Sequence, residues 1–166
     1  MTPEVIAITV RAVFQTKEFG CVVFVGNDEK VFVIHVDPAI GVVIDMFLRD
    51  VQKERPLTHD LIGHILKALE TKIERVIIND LRNGTYFARL ILRVENEVHL
   101  KVMEIDARPS DCIALATQAK APLFVTSSVW KQVEDMSEIL ESLTIESEQA
   151  KPEDSGSPPD EKSPET

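Results

Sequence analysis

Residues 104–125, EIDARPSDCIALATQAKAPLFV, constrain this chain most, because a strand-like run leads through a charged turn into a helix with little polar surface. Ahead of the turn, Val98, Leu100 and Val102 alternate with His99, Lys101 and Met103, the two-residue period of a strand with one buried face. Proline lacks an amide hydrogen and disfavours helical geometry in the residue before it, so Arg108-Pro109 predicts a turn. Ser110 then stands at the N-cap of the next helix, and Asp111 falls in its first turn, where the macrodipole favours an anion. Cys112, Leu115, Ala116 and Ala119 form an apolar stripe, and Ile113 and Ala114 leave little of the remainder polar. The pattern predicts a buried helix.

Upstream, residues 5–13 and 21–25 are β-branched runs that read as strands, and Gly26-Asn27-Asp28 turns the chain into a third strand over residues 31–36. Asp37-Pro38 reads as an N-cap followed by proline at the first helical position. Ile40, Val43, Ile44, Phe47, Leu48 and Val51 then share one helix face, with Asp45, Arg49, Gln52 and Lys53 opposite. Thr58 is expected to cap a second helix with a core stripe of Leu61, Ile62, Ile65, Leu66 and Leu69. A strand over residues 75–79 leads to Asn83-Gly84, a hairpin signal, and to a strand over 85–94.

Facing residues of an antiparallel pair share a side of the sheet, which favours a three-residue loop at 95–97. That register pairs Leu92 with Leu100 and Leu90 with Val102, sets Asp106 opposite Tyr86, and gathers Arg89, Arg93, His99 and Lys101 on a solvated face. A short strand over 123–125 follows, then a helix capped by Ser127 or Ser128 that carries Val129, Trp130 and Val133. Met136, Ile139, Leu140 and Leu143 form a closing helical pattern.

The length of 166 residues predicts one domain over 1–146, a mostly antiparallel or mixed sheet with helices packed against it. Residues 147–166 carry six acids and two lysines with no aromatic residue, and such a composition predicts a disordered acidic tail. Cys21 and Cys112 are too few for a disulfide framework and read as reduced core residues. With no basic leader and no apolar run of roughly 20 residues, the chain reads as cytoplasmic with no membrane partner. A net charge of −10 argues against nonspecific polyanion binding, which rests on neutralising phosphates with Lys and Arg.

Two clusters carry the chemistry: RPLTHD at 55–60 and DARPSD at 106–111. Each holds an arginine, a proline, a hydroxyl and an acid at a helix start, where anions bind readily. Pure capping explains Thr58, Asp60, Ser110 and Asp111 equally well, whereas capping has no need of His59. His35 and His99 read as structural, and His64 as solvated. There is no P-loop, dinucleotide-binding turn or zinc-ligand pairing, and no organic cofactor is expected.

The segments RPLTHDL, RVII with the following TYFA, IDARPSDCIALA and APLFV resemble the bifunctional nuclease domain family, over residues 6–133. The resemblance implies an α+β fold, a wedge-shaped homodimer with a large groove, and DNase and RNase activity on single-stranded nucleic acid. On the matching positions it implies His59, Asp60, Asp106 and Asp111 as catalytic and Arg55, Arg108 and Ser110 as substrate-binding. Asp60, Asp106 and Asp111 would hold a divalent cation such as Mg2+ or Mn2+, since hard cations take carboxylate oxygens. One departure stands out: Ile40 occupies a position where similar proteins carry Glu, which leaves Asp37 as a substitute or the chain inactive. Two classes therefore remain, a metal-assisted nuclease and a non-catalytic dimeric binding module.

Overall fold

The computed structural model describes residues 4–16, 20–95 and 100–149. Seven strands form one mixed sheet: β1 (Val5–Thr16), β2 (Gly20–Gly26), β3 (Val31–Val36), β4 (Thr71–Arg82), β5 (Thr85–Glu95), β6 (Leu100–Ala107) and β7 (Leu123–Thr126). Their spatial order is β3-β2-β1-β7-β4-β5-β6, antiparallel throughout except where β7 runs parallel to β4. The helices are α1 (Pro38–Leu48), α2 (Thr58–Ala68), α3 (Pro109–Ala119), α4 (Ser127–Gln132) and α5 (Ser137–Gln149). The α+β class and the single domain follow, and α5 runs three residues past the boundary expected for the tail, the rest of which lies outside the described residues.

The main core lies between the sheet and α1 and α3. Val23, Val25, Phe32, Ile34, Val76, Ile78, Ala88, Leu90 and Leu92 supply the sheet side, and Ile44 with the buried run Cys112 to Ala116 supplies the helix side. The apolar helix of the sequence is thus a central structural member, with only its ends reaching solvent. On the other face, Val22, Phe24 and Val31 are covered by Met136, Leu140 and Leu143 around α5. Burial on both faces accounts for the unbroken apolar run of β2, since a strand open to water on one side would alternate. Both cysteines are free and buried.

Gly41 allows α1 to close onto β2, because a Cβ there would collide with Cys21 Sγ. The β4–β5 hairpin turns on Asn83 (φ 49°) and Gly84 (φ 76°), the positive pair that an Asn-Gly turn supplies.

Several local expectations are corrected. Leu57, not Thr58, precedes α2, and Arg108, not Ser110, precedes α3; neither makes a side-chain cap. The β4 strand is much longer than 75–79. The β5–β6 register pairs Leu92 with Met103, Leu90 with Ile105 and Arg89 with Asp106, an odd shift from the expected pairing that reverses the faces of β6. Two requirements override hydrophobic alternation here. Ala107 faces the helices at the entry to α3, and Arg89 meets both Glu104 and Asp106 across the strands. The expected basic strip is correspondingly neutralised, with Arg93 held by Glu74; His99 lies outside the described residues. Finally, Leu61, Ile65 and Leu69 are exposed, leaving Ile62 and Leu66 as the α2 contacts to the core.

Candidate active site

The fold brings the two motif clusters together across some fifty residues of sequence. His59, in the first turn of α2, is 5% exposed, and its Nε2 lies 3.1 Å from Asp111 Oδ1 in the first turn of α3. Arg108 donates from Nε to the other oxygen of Asp111 at 2.8 Å. Asp111 therefore bridges a histidine and a guanidinium. Burial disfavours its charge, but the bonds from Arg108 and His59 outweigh that and hold the carboxyl below its usual range. A carboxylate at Nε2 makes that nitrogen the protonated one in the neutral ring, so Nδ1 becomes the proton acceptor.

Asp60 does different work. Its Oδ2 accepts the Leu57 backbone N–H at 2.8 Å, while Oδ1 accepts from Gln118 Nε2 at 2.8 Å and pairs with Lys53 Nζ at 3.1 Å. Burial opposes this charge as well, and the Leu57 amide, Lys53 and Gln118 prevail, lowering the carboxyl below its usual range. The carboxylate thus ties the loop before α2, α2 itself and α3 into one unit. Gly63 permits the close approach, since a Cβ there would come within 2.8 Å of Gln118 Oε1. Lys53 Nζ also lies over the Phe47 ring, 4.2 Å from its centroid.

A cleft of about 650 Å3 opens beside this unit. Thr58, His59, Arg108 and Asp111 form its polar side, and Ile40, Val43 and Ile62 its apolar wall. Ile40, where the family resemblance implies a Glu, lies in the same cleft as His59 and Arg108. Arg55 is exposed and outside the cleft lining, and Ser110 lines a second cleft that shares Arg108 with this one. Asp106 is not brought to the cluster. It pairs with Arg89 at 2.9 Å, and the register turns it to the sheet face opposite Ala107.

The carboxylates expected to hold a divalent cation do not fit one in this arrangement. Both Asp60 oxygens are engaged by donors, Asp111 is flanked by a guanidinium, and Asp106 is elsewhere. Among the described residues no group of three or more His, Cys, Asp or Glu side chains is placed to share an ion. Lys53 and Gln118 were not legible as site residues from sequence, although Gln118 lies seven residues after Asp111 and so on the same helix face. No helix among the described residues is long and apolar enough to cross a membrane.

Two relatives in Mycobacterium tuberculosis, uncharacterized proteins MT1877 (strain CDC 1551 / Oshkosh) and Rv1829 (strain ATCC 25618 / H37Rv), are each 32% identical over 106 residues. The match covers 64% of this chain and 60% of each relative, so the chain spans less than two thirds of their length. The bifunctional nuclease domain profile matches residues 22–138, a stretch that contains both motif clusters, the cleft and every strand but β1 and the first two residues of β2, and the chain belongs to that family.

Proposed function

We propose that the chain is a nuclease that hydrolyses phosphodiester bonds of single-stranded DNA and RNA, with His59, Asp111 and Arg108 as its working group. The contact that carries the reading is His59–Asp111–Arg108, which joins a proton acceptor, a carboxylate that fixes its tautomer and a cation in one cleft. Hydrolysis needs an activated water and neutralisation of the charge that gathers on the non-bridging oxygens. His59 Nδ1 takes the proton of the attacking water as the new P–O bond forms. Arg108 offsets the oxygen charge through its terminal nitrogens, the P–O bond to the leaving sugar oxygen breaks, and that oxygen is protonated from solvent. Asp60 positions His59 without touching substrate. A divalent cation, the other source of an activated water, would require Asp60 or Asp111 to give up its present partners.

The working form in this reading is a homodimer formed through the exposed ridge Leu61, Ile65 and Leu69 on α2, next to the cleft. One observation favours the second reading, a non-catalytic binding module: Ile40 lines the cleft with an apolar side chain, where the family resemblance implies an acid.

Purified full-length chain on fluorescent single-stranded DNA and RNA oligonucleotides separates these readings, with EDTA and with Mn2+ or Mg2+ in parallel. His59→Gln and Asp111→Asn are expected to slow cleavage by about 100-fold or more, the range of a lost general base. Cleavage in EDTA supports the protein-only route, and strict cation dependence returns the carboxylates to the metal role. Absence of cleavage under all conditions leaves the binding module.

A further inference from the structure

We infer that a second nucleotide subsite lies on the far side of Arg108, so that two clefts hold adjacent nucleotides with their phosphodiester over this arginine; the inference builds on the phosphodiester reading above. A cleft of about 350 Å3 opens there between the end of β3, the β4–β5 hairpin and the start of α3. Arg108 lines this cleft and also the one containing His59. Its Nε is committed to Asp111, and its side chain is 71% exposed, so both terminal nitrogens remain for a ligand between the clefts. A planar guanidinium anchored through one nitrogen presents an oriented fork to non-bridging phosphate oxygens.

The second cleft offers the surfaces that a nucleoside uses. The Tyr86 ring is fixed by Phe32, with centroids 5.9 Å apart and planes tilted by 31°, which leaves it a rigid platform for a base. Thr85 and Ser110 supply hydroxyls on the same walls. Asp37 holds the Ala39 amide with one carboxylate oxygen and has the other left for a sugar hydroxyl. Both clefts carry a histidine and aliphatic residues, His35 with Ile34 and Val36 in the second, and the first differs in the His59–Asp111 contact that fixes a proton acceptor. The pair therefore has a polarity, with the reactive side at His59 and the holding side at Tyr86.

The test uses full-length His59→Gln, which is not expected to turn the ligand over, titrated with thymidine 5′-phosphate and with the dinucleotide thymidylyl-thymidine and followed by NMR. The dinucleotide is expected to bind about tenfold more tightly, the effect of one added base stack. Thr85→Trp, an exposed hairpin position that crowds the cleft, and Tyr86→Leu, which removes the platform, are each expected to abolish that advantage in the same background. The inference is overturned if the dinucleotide binds no better than the mononucleotide, or if the advantage survives Thr85→Trp in a folded protein. The nuclease reading fails separately: wild type that cleaves nothing yet keeps a dinucleotide advantage sensitive to both variants retains the subsite without the catalysis.

Discussion

The carboxylates at positions 60, 106 and 111 are alike in sequence, each within three residues of a motif arginine or histidine, but their surroundings give them three different tasks. Asp111 sits between His59 and Arg108 in the cleft, Asp60 is enclosed by Leu57, Lys53 and Gln118, and Asp106 is exposed against Arg89. Asp60→Ala strands a half-buried lysine and an amide at once and is expected to cost roughly 2 kcal/mol or more in urea unfolding. Asp106→Asn loosens an exposed pair and is expected to cost less than about 1 kcal/mol, with cleavage unchanged. Because the Asp60 carboxyl is lowered in the folded state, its contribution is present above the ordinary carboxylate range and is lost as pH falls through the folded value. Asp60→Ala should therefore flatten the acid side of the stability–pH curve, and an unaltered curve would count against the clamp.

At the scale of elements, α2 joins two roles. Its first turn carries the histidine, and its outer face leaves Leu61, Ile65 and Leu69 at 54%, 49% and 64% exposure. An exposed apolar row of this kind is the surface through which the proposed dimer would form. Ile65→Glu is expected to convert a dimer into a monomer in light scattering while changing the unfolding free energy of the monomer itself by no more than about 0.5 kcal/mol, the usual range for a surface change. A wild-type monomer at micromolar concentration would count against the dimer, and a dimer that survives the substitution would move the interface elsewhere. The edge strand β6, where Leu100 and Val102 are also exposed, is the next surface to examine.

For the whole molecule, the charge of −10 sets the terms on which nucleic acid is met. Arg89 and Arg93, which alternation gathered into a strip, are paired with Glu74, Glu104 and Asp106, so among the described residues that strip offers no broad basic track. Affinity should then come from a few contacts around Arg108. Single-strand binding releases about 0.7 counterion for each phosphate neutralised, so one or two contacts predict a log affinity against log salt slope of about −1. A slope several times steeper would reveal a basic surface outside this cleft.

The sequence by itself determined the elements whose causes are local. Asp37-Pro38 opens α1, Asn83-Gly84 turns the β4–β5 hairpin, and the helix after Pro109 is apolar enough to require burial. The family, too, was legible in RPLTHD and DARPSD, because those strings are contiguous. Only the tertiary structure decided which residues of the strings work together. Packing of α2 onto α3 put His59 against Asp111 and Asp60 against Gln118, partners far apart in the chain. The β5–β6 register, set by the entry to α3 and by Arg89 rather than by alternation, sent Asp106 to the other face. Side-chain periodicity defines the faces of each element, but which faces meet depends on how the elements pack across the whole chain.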